Sequence, residues 1–128
     1  LKTIPEIIKQ AHENAVEKGF YDDGAKNIGE LLMLVVSELG EALEAHRKDR
    51  RAVPDCFFVE GKNPYTDNYD KWEFDFKENI KDTFEDELAD AVIRICDMCG
   101  YLGIDLEKHI ELKMKYNATR EYKHGKRY

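Results

Sequence analysis

The sequence predicts an all-α fold, a four-helix bundle with an irregular insertion between its second and third helices. Three observations lead there. Apolar residues recur at spacings of three and four along four long stretches. Only 3 prolines occur in 128 residues, so little interrupts those stretches. Charged residues make up 37% of the chain, against about 25% in an average domain, while apolar residues still reach 42%. Long helices with heavily solvated faces produce that mixture. The length fits one domain, residues 1–128, with the insertion inside it.

The first helix is expected over about 4–18. Thr3 and Glu6 form a capping box, and Pro5 sits in the first turn, where its missing N–H costs little. Ile4, Ile7, Ile8, Ala11 and Ala15 repeat at helical spacing, and Gly19 is a good stop. The second helix is expected from about Lys26 to Lys48, with Leu31, Leu34, Val35, Leu39 and Ala42 as its inner stripe. The stretch from about 49 to 75 lacks a helical period. It holds Pro54, Gly61 and Pro64, with Phe57, Phe58, Tyr65, Tyr69 and Trp72 among charges, and is too aromatic for a simple linker. It reads as an ordered insertion with room for a short hairpin. The third helix is expected from Phe76 or Ile80 to Leu102, with Phe84, Leu88, Ala91, Ile95, Met98 and Leu102 inward. Gly103 breaks it, and Asp105 caps a fourth helix that starts with Leu106 and Ile110 and runs to about Lys123.

Composition excludes several function classes. The longest apolar run, Leu31 to Val36, is too short to span a membrane. The net charge of −7 divides unevenly. Residues 113–128 hold six Lys/Arg and one Glu, whereas residues 1–112 hold fourteen Lys/Arg and twenty-six Asp/Glu. An acidic body argues against nonspecific nucleic-acid binding. No Gly-x-x-x-x-Gly-Lys-Ser/Thr loop is present, and the 3 cysteines complete no zinc site. A reducing cytoplasm is the expected compartment.

The carboxylates carry the chemistry. Glu38 and Glu41 are three residues apart and share a helix face. At about 100° per residue, with Glu38 at zero, Leu31 lies near +20°, Leu34 near −40°, Val35 near +60° and Ala42 near +40°. Glu38 therefore sits within the apolar stripe and Glu41 at its edge. Glu87 and Asp90 repeat the device on the third helix, beside Phe84, Ala91 and Met98. If the two helices pack antiparallel, four carboxylates converge at one edge of the core. Two carboxylates about 5.5 Å apart repel by roughly 3 kcal/mol at an effective dielectric of 20. Such a group needs protons, buried Arg/Lys partners or a cation, and a hard divalent ion such as Mg²⁺ suits oxygen ligands. Surface charge straddling the stripe is the plainer alternative. On the fourth helix, Lys113, Asn117 and Arg120 fall within about 60° of one another and continue the face begun by Leu106 and Ile110. Metal plus Lys and Arg suits a polyphosphate, although cations also favour helix C-termini.

Ser37-Glu38-Leu39-Gly40-Glu41-Ala42, followed by Glu87-Leu88-Ala89-Asp90, resembles the ExxE…ExxD signature of the MazG-like, all-α nucleoside triphosphate pyrophosphohydrolases. Lys113-Met114-Lys115-Tyr116-Asn117-Ala118-Thr119-Arg120 is similar to that family's closing K-x-x-x-N-x-x-R segment. The resemblance implies hydrolysis of an NTP or dNTP to the monophosphate and pyrophosphate with Mg²⁺ (or Mn²⁺) by a homodimer or homotetramer. It places metal ligation on Glu38, Glu41, Glu87 and Asp90. Glu41, with Glu38, would orient the attacking water or take its proton, and Lys113, Asn117 and Arg120 would lie near the phosphates. Two departures bear on substrate choice. The 45 residues between Glu41 and Glu87 exceed the family's usual spacing, and Arg94 stands where some relatives carry an aromatic residue. Arg94 could touch phosphate or pair with Asp90 or Asp97. Two other readings stay open: a catalytically silent helical module binding a nucleotide or protein, and a hydrolase of a phosphoribosyl-nucleotide on the same fold.

Other signals have plainer explanations. Cys96-x-x-Cys99 lies inside a helix and reads as two small buried hydrophobes. Glu121-x-x-His124 is half of a di-iron motif without its second copy. His12, His46 and His109 read as surface or edge residues. Trp72 reads as packing rather than base stacking, and Phe20 and Tyr21 could line a base pocket.

Overall fold

The computed structural model describes residues 1–57 and 68–128. Among them are five α-helices, two short 3₁₀ turns and no strand: α1 (Ile4–Glu17), α2 (Ile28–Arg47), α3 (Tyr69–Asn79), α4 (Phe84–Leu102) and α5 (Leu106–Ala118). The all-α expectation holds. Residues 58–67, in the middle of the stretch of about 49–75 read as an insertion with room for a hairpin, lie outside the described residues.

α1 and α2 fall where the periodicity places them. The Thr3 hydroxyl accepts the Glu6 N–H at 3.3 Å, and the Glu6 carboxylate accepts the Thr3 N–H at 3.1 Å. The Asn27 side chain accepts the Glu30 N–H at the start of α2. Three boundaries differ from expectation. First, α3 occupies part of the stretch read as irregular. Asn68 caps it by accepting the Lys71 N–H at 2.9 Å. Tyr69, Trp72 and Phe76, three and four residues apart, stack with centroids 6.1 and 5.3 Å apart. Trp72 thus packs within its own helix and against the edge of Phe57. Second, the long third helix expected from Phe76 or Ile80 is broken. Asp82 takes a left-handed φ of 61°, and its N–H donates to the Asp86 carboxylate. A new helix starts at Phe84. Third, α5 ends at Ala118 rather than near Lys123, and the Thr119 hydroxyl donates to the Tyr116 carbonyl.

The chain divides into two compact units. One comprises Lys26–Ile95. Within it α2 and α4 run antiparallel, since Arg94 meets Glu38 and Phe84 meets His46. Ala42, Ala45 and Ala91 are buried, so small residues let the backbones approach. Glu85 ties the start of α4 to the preceding loop, accepting from Arg51 Nε at 2.7 Å and the Ala52 N–H at 2.9 Å. Leu39 and Leu88, expected inward, are 48% and 39% exposed. The other unit comprises Leu1–Ala25 with Cys96–Tyr128. Here α1 packs on α5. Gly100 fits against His12 only because it lacks a side chain, as a Cβ there would lie 2.6 Å from the His12 Cβ. Ala11, Cys96 and Cys99 are buried, and Leu102, also expected inward, is exposed. Burial pushes both thiols up, which suits inert cysteines. No helix among the described residues is long and apolar enough to cross a membrane.

Candidate metal centre

Successive turns of α2 present Glu38 and Glu41, and α4 brings Glu87 opposite them. One carboxylate oxygen from each lies within 4.8 Å of the other two. Glu38 and Glu87 are 7% and 6% exposed, while Glu41 faces solvent. The group is therefore walled on the helix–helix side and open at Glu41. Asp90, one turn beyond Glu87, is half-buried and stands outside this convergent set of three.

The charges interact strongly. Burial raises the Glu87 carboxyl to about 7, helped by the nearby charges of Glu41, Asp90 and Glu38. Asp90 is raised by burial and by Asp86, Glu38 and Glu41, with Arg94 opposing. Burial is the largest single influence on Glu38 and pushes it up, but the hydrogen bonds from Arg94, Glu41 and Glu87 and the Arg94 charge together outweigh it. Glu38 is thus held below the usual carboxylate range. Two neighbouring carboxyls with opposite shifts leave Glu87 as the site that takes a proton as the pH falls.

Arg94 pairs with neither Asp90 nor Asp97. Its Nε donates to Glu38 Oε1 at 2.6 Å. Asp97 instead accepts from the Tyr21 hydroxyl at 2.9 Å and lies 2.9 Å from His12 Nδ1. His12 is therefore no bare edge residue, since its ring also packs edge-on against Tyr21 with centroids 4.8 Å apart. Burial and Asp97 raise the Tyr21 phenol. Helical phase gave no advance signal for this network, because Asp97 lies about 100° from Met98, the nearer edge of the expected apolar stripe. Phe20 is 65% exposed.

Lys113, Asn117 and Arg120 belong to the unit that contains α5. Lys113 Nζ lies 5.1 Å from the Tyr116 ring centroid and the Arg120 guanidinium 5.7 Å from it. Tyr116 thus gathers the two cations. Asn117 Oδ1 is buried without a hydrogen-bond partner. A second acidic group, Asp82 and Asp86 with the shared Glu87, escaped the sequence reading. Acids gather at helix starts anyway, where the dipole favours them.

Three hard oxygen donors within 4.8 Å, one of them open to solvent, suit a divalent cation. The cluster of Glu38, Glu41 and Glu87 could hold a metal ion. The chain matches no family model, no curated protein and no solved structure.

Proposed function

We propose that the chain is a metal-dependent nucleoside triphosphate pyrophosphohydrolase, cleaving an NTP or dNTP to the monophosphate and pyrophosphate. The observation that carries this is the convergence of Glu38, Glu41 and Glu87 from two antiparallel helices. The order of the ExxE, ExxD and K-x-x-x-N-x-x-R segments supplies the reaction class, and with it a MazG-like bundle acting as a homo-oligomer. Glu38, Glu41 and Glu87, with Asp90 beside them, would hold the ion, which is Mg²⁺ or Mn²⁺ by its oxygen donors. A bound divalent ion supplies charge neutralisation for the triphosphate and lowers the pKa of a water. Glu41, exposed at the open side, accepts the proton of the water that attacks the α-phosphorus, and pyrophosphate leaves. Glu38 is held ionised by Arg94. Arg94 is half-exposed and can exchange Glu38 for a phosphate oxygen. The resemblance alone adds Lys113, Asn117 and Arg120, which would be the remaining phosphate contacts.

One observation favours a second reading. The 2.6 Å Glu38–Arg94 ion pair already compensates one buried carboxylate, as it would in a catalytically silent module. A single assay separates the two. The protein is incubated with Mg²⁺ and each common NTP and dNTP, with EDTA and Glu38→Gln controls, and the products are resolved by ion exchange. Monophosphate formed without a diphosphate intermediate, and only with metal and Glu38, is the expected result. Metal-dependent nucleotide binding without product would establish the silent module instead.

A further inference from the structure

α1 and the end of α4 build a second polar group, within the unit of Leu1–Ala25 and Cys96–Tyr128. Gly100 brings α4 close to α1 and so fixes the His12 ring, since a Cβ there would lie 2.6 Å from the His12 Cβ. The Asp97 carboxylate takes two partners. The Tyr21 hydroxyl donates to Oδ2 at 2.9 Å, and His12 Nδ1 lies 2.9 Å from Oδ1. A carboxylate only accepts, so in the neutral imidazole the proton sits on Nδ1. Nε2 is left with a bare lone pair in the plane of the ring. The polar and ring contacts of His12 go to Asp97, Tyr21 and Tyr101, and none is a hydrogen bond to Nε2 among the described residues. Asn117 Oδ1 is the one buried side-chain atom without a partner among those residues, so Nε2, also unpaired, meets solvent. The His12 side chain is 28% exposed.

The surroundings narrow what that lone pair can take. His12 belongs to no group of three metal-binding side chains among the described residues, so a cation would find too few ligands. A hydrogen-bond donor fits instead, and two phenol rings say what kind. Tyr21 stands edge-on to the imidazole with centroids 4.8 Å apart, Tyr101 lies tilted at 6.4 Å, and the two phenols are 5.1 Å from each other. Burial and Asp97 raise the Tyr21 phenol, which keeps its proton on the bond to Asp97. A flat heterocycle can lie against this aromatic wall with an N–H in its plane aimed at Nε2. Cytosine and adenine carry an amino group where uracil and hypoxanthine carry a carbonyl oxygen. The amine donates to Nε2, whereas the oxygen sets one lone pair against another.

We propose that His12 reads the base of the nucleotide, its Nε2 accepting from the exocyclic amine of cytosine or adenine and rejecting the keto bases, with Asp97 as the positioning residue that sets the tautomer. The ligand class rests on the nucleotide reading above, and the base preference is new. The test uses the full chain in EDTA, where no metal-dependent turnover intrudes, and two pairs of monophosphates that exchange the amine for a carbonyl, CMP with UMP and AMP with IMP. Long-range proton–nitrogen spectra read the His12 ring. The free chain is expected to show a protonated Nδ1 and a bare Nε2. The amino member of at least one pair is expected to shift Nε2 and to bind at least about tenfold more tightly than its keto partner. In Asp97→Asn the amide can donate to Nδ1, which sends the ring proton to Nε2, so the preference is expected to vanish or invert while far-UV circular dichroism stays helical. A packing role for Asp97 would instead weaken both members of a pair equally. If that variant fails to fold, the wild-type spectra and affinities decide alone. A proton on Nε2 in the free chain, no preference within either pair, or no binding of any of the four at millimolar concentration overturns the proposal. Base discrimination without turnover in the hydrolysis assay leaves His12 as the base reader of a silent module. Turnover without base discrimination removes the role of His12 and leaves the hydrolase.

Discussion

Replacing Arg94 by Met tests how the acidic cluster is compensated. The substitution keeps an unbranched stem out to the position of Nε and removes the guanidinium with its charge. Glu38, 7% exposed, then loses the guanidinium 2.6 Å away and still faces Glu41 and Glu87 within 4.8 Å. Two like charges at that separation repel by about 3 kcal/mol at an effective dielectric of 20. Breaking a fully buried pair costs about 3–5 kcal/mol, and breaking an exposed one costs about 1 kcal/mol or less. The Arg94 side chain is 41% exposed, which places this pair between the limits. A loss of about 2 kcal/mol at pH 8 is expected. The pH dependence follows from the direction of the Glu38 shift. Its pKa is held down by Arg94, so the pair contributes stability above the ordinary carboxylate range. Without Arg94, burial raises Glu38, and protonation relieves the charge as the pH falls. The loss should therefore shrink to under ~1 kcal/mol at pH 5. Urea unfolding followed by circular dichroism in EDTA, at both pH values, reads it directly. A variant as stable as wild type at pH 8 refutes the reasoning, as does a loss of equal size at pH 5.

Three further outcomes are expected. Glu87 is raised to about 7 in the folded chain, so its contribution is complete below the unfolded carboxyl range and is lost as pH rises through 7. Solvent screening on the open Glu41 side reduces the full linkage value, leaving about 1–2 kcal/mol between pH 5 and 8. Denaturation in EDTA measures this slope, and Glu87→Gln should flatten it. Saturating Mg²⁺ should raise the melting temperature and release protons near pH 7, because a cation replaces the proton on Glu87. In Glu41→Gln both effects should shrink, as followed by thermal scans and by calorimetry in two buffers. Gly100→Ala should cost about 1–3 kcal/mol through its clash with His12. The double variant with His12→Gly should recover part of that loss, since the His12 Cβ that a methyl at 100 would meet at 2.6 Å is then gone, and thermal melts of the four proteins in the cycle decide it.

Much of the candidate centre was legible before any coordinates. Thr3, Pro5 and Glu6 fix the start of α1 because capping is local chemistry within four residues. The azimuths of Glu38, Glu41 and Glu87 on their helices follow from the helical repeat, and their convergence needs only that α2 and α4 lie antiparallel. α3 was also present in the letters, as Asn68 followed by Tyr69, Trp72 and Phe76. The prolines and charges around it hid a period carried by aromatic residues rather than aliphatic ones.

The sequence by itself determined that the chain is helical, where α1 and α2 begin and end, and which carboxylates border the apolar stripes. The tertiary structure alone decided three things. Arg94 pairs with Glu38, because a partner some fifty residues away depends on which helices meet. Thr83 is buried and α4 restarts after Asp82, because the loop at Arg50–Ala52 receives the Phe84 N–H and donates to Glu85. Leu39 and Leu88 point outward, because periodicity gives the phase of a helix but not which of two apolar sides faces its neighbour.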